Sequence, residues 1–166
     1  MKKTDVIFNH WRAFKELTKG TKQEKYFASK IKNGKAVSCV SVRDVFTNDE
    51  IKKIRRFVRP QKRMCYKNAH LMALAFPDRV KYVEGEVSIM CGRLGIEHAW
   101  NLVDGKYYVD VTFEMALNED VTQEGYVSIG VYDVDTINDV ARETGVYGGI
   151  YENLYIHKLN KGRCRK

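Results

Sequence analysis

The chain has 166 residues, a net charge of +8 and 44% hydrophobic residues. That length allows one domain with a buried core, and that composition excludes wholesale disorder. No run approaches the roughly 18 consecutive apolar residues of a membrane span.

Met1-Lys2-Lys3 is followed by an apolar stretch too short and too polar for a signal peptide, so a cytoplasmic protein is expected. The four cysteines, at 39, 65, 91 and 164, form no CxxC pair. Free thiols are therefore expected rather than a disulfide frame, and the close-spaced ligand pairs of a structural zinc site are missing. Charge is unevenly spread. Residues 1–67 carry 19 Lys/Arg against 6 Asp/Glu, whereas residues 68–156 carry 5 against 15. The two halves either attract each other within one fold, or the basic half faces an acidic protein or nucleic acid.

Residues 4–19 read as an amphipathic helix with Ile7, Trp11, Phe14 and Leu17 on one face, Thr4 as its cap and Gly20 as its stop. Thr21-Lys22-Gln23-Glu24 is a capping box opening a second helix that ends at Asn33-Gly34. Over 36–46, Val40 and Val42 alternate with polar residues, a short strand pattern. Thr47-Asn48-Asp49-Glu50 is another capping box. Its helix runs to Arg59 with Ile51, Ile54 and Val58 inward, and Pro60 ends it. Lys52, Lys53, Arg55, Arg56 and Arg59 crowd that helix and would suit phosphates. No aromatic residues interleave with them for base stacking.

Cys65 to about Phe76 is apolar almost all round, which predicts a core helix. Strands are predicted over 80–89, 96–103, 106–113 and 125–133, with Asp104-Gly105 as a hairpin turn. Asp135 to Glu143 reads as a helix stopped by Gly145, and Tyr151 to Leu159 as a last strand or a docking tail. Helices come first and an antiparallel sheet later, an α+β arrangement in one domain.

A cysteine heading a helix meets unsatisfied N–H groups and the positive end of the dipole, both of which favour thiolate. Arg63 and Lys67 push the same way. Histidine is the usual partner of a nucleophilic thiolate, and His98 and Asp110 lie on neighbouring predicted strands. A two-residue turn at Asp104-Gly105 pairs 103 with 106, a register that sets His98 and Asp110 on opposite faces. A bulge or a longer turn shifts the register by one residue and brings them side by side. Asp110 would then hold one imidazole nitrogen and leave the other for Cys65. Taken singly, each residue has a plain structural role. Trp100 would shield the pair from water or simply pack in the core.

Cys65-Tyr66-x-Asn68-Ala69, Tyr82-Val83-Glu84-Gly85, His98-Ala99-Trp100-Asn101, Asp104-Gly105 and Val109-Asp110-x-Thr112 together resemble the transglutaminase-like branch of the papain-like cysteine hydrolases. The resemblance covers about residues 60–132, and the basic N-terminal 59 residues lie outside it. It implies an α+β fold in which the cysteine heads a core helix packed on an antiparallel sheet. It also implies a Cys65–His98–Asp110 triad. The Cys65 N–H is a natural oxyanion donor. Gln61 is a further candidate, and Tyr66 and Asn68 belong to the matched motif without an assigned role.

The expected function is a cysteine hydrolase or acyltransferase acting on an amide or isopeptide bond through a thioester, with no metal or organic cofactor and an unidentified peptide or amide substrate. The alternative is an inactive binding module on the same fold, using its basic half to contact an acidic protein or nucleic acid. A zinc site built from Cys65, His98 and Asp110 is the third arrangement those residues permit. The 90–95 loop borders the site or is a simple connector.

Overall fold

A computed structural model describes residues 2–163, so Cys164 lies outside the described residues. The chain opens with helices α1 (Asp5–Leu17) and α2 (Lys22–Asn33), closed on each other by Phe14 stacked on Phe27 at 5.3 Å. Ile7 and Trp11 of α1 are buried, but the apolar stripe ends early and Leu17 is 81% exposed. Thr4 precedes α1 without a side-chain cap bond. At α2, Thr21 accepts from the Gln23 N–H, while Glu24 reaches the Gly20 N–H rather than closing the box.

The strand pattern over 36–46 shrinks to β1 (Lys35–Val37). Val42 instead starts a short 3-10 turn, because the Glu114 carboxylate accepts from its N–H at 2.7 Å and from the Ser41 hydroxyl at 2.6 Å. Helix α3 (Asn48–Lys53) has the complete capping box expected of Thr47 and Glu50. It widens into a π-helical turn over Ile54–Val58 and stops at Arg59, whose φ of 48° lies in the left-handed region. Ile54 and Val58 are buried, as the pattern requires.

Helix α4 (Cys65–Ala75) is the core helix, with Asn68, Ala69, His70, Met72, Ala73 and Ala75 buried. Next come β2 (Val80–Ile89), β3 (Leu94–Val103) and β4 (Tyr107–Val109). β5 (Gly125–Tyr132), α5 (Val134–Thr144) and α6 (Ile150–Arg163) complete the chain. The sheet has the order β1-β5-β2-β3-β4, and every ladder is antiparallel. The chain leaving β1 then crosses to the opposite edge, where the Val40 N–H donates to the Tyr108 carbonyl at 2.8 Å. The sheet is thereby curled so that its two edge strands nearly meet. Trp100, Tyr126, Phe113, Val83 and Val87 cluster on one face, and α4 with its neighbours packs on the other. The fold is α+β, and among the described residues no helix is long and apolar enough to cross a membrane.

Two further expectations about elements are corrected. The strand expected over 106–113 covers only β4, because Asp110 accepts from the Thr112 and Phe113 N–H groups and turns the chain into a π-helical segment, Thr112–Ala116. The strand considered over 151–159 is a helix, whose Ile150, Tyr151 and Leu154 pack against the body of the fold. The buried Glu84 carboxylate accepts from the N–H groups of Ile150 and Tyr151 at 3.0 and 2.9 Å, satisfying orphan donors at the start of α6. Local sequence carries no sign of a cap supplied from β2.

Few direct ion pairs join the two oppositely charged halves. Among the described residues, Lys30 is the single base of residues 1–67 in an ion pair with an acid beyond residue 67, at 2.6 Å from Glu86 and 3.7 Å from Glu97.

Candidate active site

The β3–β4 turn decides the geometry. Asp104 and Gly105 both have positive φ, 53° and 66°, and the Lys106 N–H closes the turn on the Val103 carbonyl at 3.0 Å. This is the two-residue turn expected, but the ladder resumes at Val103↔Tyr107. Lys106 is thus an extra residue, a bulge that shifts the register by one. Positions 98 and 110 then point to the same face. Pairing ends at Asn101↔Val109, and Asp110 swings under His98 with its Oδ2 2.6 Å from the His98 Nε2.

Asp110 is fully buried and saturated. Its Oδ2 also accepts from the Tyr126 hydroxyl at 3.1 Å, and its Oδ1 from the N–H groups of Thr112 and Phe113 at 2.9 and 3.1 Å. These donors offset the cost of burying the carboxylate. His98 is itself 2% exposed. The Phe113 ring lies 4.7 Å from it, and Trp100 stacks on it at 6.1 Å and 21°. Trp100 therefore both shields the imidazole and packs the core. Gly85 lies opposite His98 in the β2–β3 ladder, and a Cβ there would meet the Trp100 ring and the Val127 carbonyl. The glycine is what lets the indole lie over β2.

Cys65 takes the first position of α4. With His98 Nε2 bound to Asp110, Nδ1 is the ring nitrogen left to face the thiol. β4 has left the edge of β3 by this point, so the Ala99 N–H on that edge is free to donate to sulfur. Burial pushes the Cys65 thiol up, but the His98 hydrogen bond, its positive charge and the N–H groups of Ala99 and Tyr66 outweigh it and hold the thiol below its ordinary value. Burial likewise opposes charge on His98, yet the Asp110 carboxylate and the Cys65 sulfur push its pKa up to about 10. Both shifts favour the thiolate–imidazolium form of the pair. Neither Arg63 nor Lys67 is among the main groups that lower the thiol. Cys39 is the contrast. Burial and the nearby Asp110 charge push its thiol well above the ordinary value.

The remaining candidates separate. The Asn68 side chain accepts from the Gln61 N–H at 3.2 Å and donates to the Gln61 carbonyl at 2.8 Å and the Thr112 hydroxyl at 3.0 Å. It is 1% exposed and anchors the loop ahead of Cys65, rather than bonding within the first helical turn or meeting substrate. The Gln61 side chain lies in the wall of an open cleft. Tyr66 lines a recess of about 40 Å³ beside His98, together with Gly85 and Tyr151. The Cys65 N–H, first in its helix, has no intrahelical partner and is free for an oxyanion. No group of three or more His, Cys, Asp or Glu among the described residues is placed to hold a metal ion.

Sequence reasoning missed Tyr126, Phe113 and the Ala99 N–H. Tyr126 and the Ala99 N–H are brought to the triad by sheet order and strand edge, and Phe113 by the turn that Asp110 itself caps, none of which a local pattern reports. Comparison with family models, with curated proteins and with solved structures finds no match.

Proposed function

We propose that the protein is a thiol-dependent hydrolase or acyltransferase of the transglutaminase-like, papain-like type, acting on an amide or isopeptide bond. The observation that carries this reading is the buried His98 held at 2.6 Å by Asp110, with its other nitrogen left for a depressed thiol at a helix start. The Cys65 thiolate attacks the carbonyl carbon, forming a C–S bond while the carbonyl electron pair moves to oxygen. The Cys65 N–H faces that oxyanion. Collapse expels the amine, which takes the proton from His98. Water or a second amine then attacks the thioester and gives its proton to His98, and the thiolate departs.

The test uses p-nitrophenyl acetate as acyl donor and peptide mass spectrometry as readout. A single acetyl on Cys65, discharged faster in the wild type than in His98→Ala, is expected. Acetyl groups spread over Cys91 and lysines, with no preference for Cys65, would contradict the reading.

A second reading, a binding module on the same fold, is favoured by one observation: the basic residues of the first half are almost all unpaired with acids of the second.

A further inference from the structure

We propose that the cationic cleft at Gln61 is a substrate subsite that selects peptide segments bearing carboxylates, a proposal that rests on Cys65 being the nucleophile. The cleft has a volume of about 650 Å³, within the usual range of ligand sites. Arg43, Arg55 and Arg59 line it, and none of them pairs with an acid among the described residues. Its one acid, Glu114, is held by the Ser41 hydroxyl and the Val42 N–H rather than by an arginine, which leaves the lining a formal excess of two positive charges. Three exposed arginines thus line a concave surface without an ion-pair partner among the described residues, although the Arg59 Nε donates to the Arg56 carbonyl at 3.0 Å. Planar guanidinium forks match carboxylates two bonds at a time.

The rest of the wall favours a peptide. Val42, Ile51, Pro60 and Met115 give it apolar stretches for side-chain stems. No aromatic residue lines it, so bases would have nothing to stack on. Of the five basic residues on the 48–59 helix, Lys52, Lys53 and Arg56 do not line the cleft. Lys53 donates to the Ala75 carbonyl at the end of α4, and Lys52 pairs with Asp49.

The cleft is tied to the catalytic residues. Gln61 precedes Cys65 by four residues, a span of at most about 14 Å of extended chain. Asn68 fixes the Gln61 backbone and also reaches Thr112. Across the cleft, Glu114 follows Asp110 by four residues, and its N–H donates to the Asp110 carbonyl at 3.0 Å. A peptide seated in the cleft would have to run past Gln61, within about 14 Å of Cys65 along the chain, to reach the thiol.

The experiment measures fluorescence anisotropy of labelled octaglutamate, octaglutamine and octathymidylate with the Cys65→Ala protein, so that binding is read without chemistry. Octaglutamate is expected to bind at least about tenfold tighter than octaglutamine, and R43E with R55E to weaken it about tenfold. Both arginines are exposed, so these changes spare the core. K22E with K25E, on exposed α2 positions, makes the same charge change and is expected to leave affinity within about twofold. In the wild type, octaglutamate is expected to slow iodoacetamide labelling of Cys65. Equal losses in the two double variants, tighter binding of octathymidylate, or bound octaglutamate that leaves Cys65 labelling unchanged would each overturn the subsite. Absent octaglutamate binding with a rapidly labelled Cys65 overturns the subsite and leaves the nucleophile standing, whereas an unreactive Cys65 overturns the thiol reading itself.

Discussion

The His98 imidazole and the Asp110 carboxylate meet at 2.6 Å although no ladder pair joins them. One extra residue, Lys106, sets their common face, and the early departure of β4 lets Asp110 drop beneath the ring. Two backbone N–H groups and the Tyr126 hydroxyl then hold the carboxylate where it is.

Replacing Asp110 with Asn tests this anchoring. The amide keeps the size but removes the charge that holds His98 as imidazolium, and its NH2 must face either a ring N–H or two backbone N–H groups. Breaking a buried ion pair of this kind costs about 3 kcal/mol. Urea unfolding is expected to show that loss. Cys65 labelling at pH 6 is expected to fall about tenfold as its thiolate loses its partner. Unchanged stability and labelling would separate Asp110 from the site.

The pair also sets a pH profile of stability. His98 is raised to about 10, so its contribution is complete below the ordinary imidazole value and is lost as pH rises through about 10. Cys65 is lowered, so its contribution is complete above the ordinary thiol value and is lost as pH falls through the folded one. Where the pH lies above the folded Cys65 value and the ordinary imidazole value but below the ordinary thiol value, folded and unfolded chains each bind one of these two protons. Stability from the pair is therefore flat there and declines on both sides. Chemical denaturation across pH 5 to 10.5 checks this by comparing the wild type with Cys65→Ala/His98→Ala. The expected result is a difference that peaks on that plateau; one that is constant with pH would oppose an ion pair.

Much of this was legible locally. Thr47 and Glu50 announced α3, Gly145 ended α5, and the apolar run after Cys65 gave the core helix. The Cys65, His98 and Asp110 set followed from order and element type, and the need for a register shift followed from parity. What stayed hidden depends on distant partners. Glu84 starts α6 from 66 residues away, and Tyr126 reaches Asp110 because β5 lies beside β2 rather than beside β4. Asn68 became a loop anchor because Thr112 sits over α4, a packing relationship absent from either segment alone.

Gly85→Ala probes the support beneath the histidine. The added methyl carbon would lie 2.7 Å from the Trp100 ring and would also crowd the Val127 carbonyl, a backbone atom that cannot rotate away. Overpacking of this kind costs about 1–3 kcal/mol. Because Trp100 stacks on His98, the variant is expected to slow Cys65 labelling as well as lower Tm. A loss of stability with labelling untouched would show that Trp100 only fills the core.

The most direct measurement is the rate at which iodoacetamide labels each cysteine at pH 7, followed by peptide mass spectrometry in the wild type and in His98→Ala. Cys65 is expected to react faster than Cys39, Cys91 and Cys164, and His98→Ala to abolish that advantage. Equal labelling of the accessible thiols in the wild type, or a Cys65 rate indifferent to His98, would contradict a thiolate–imidazolium pair.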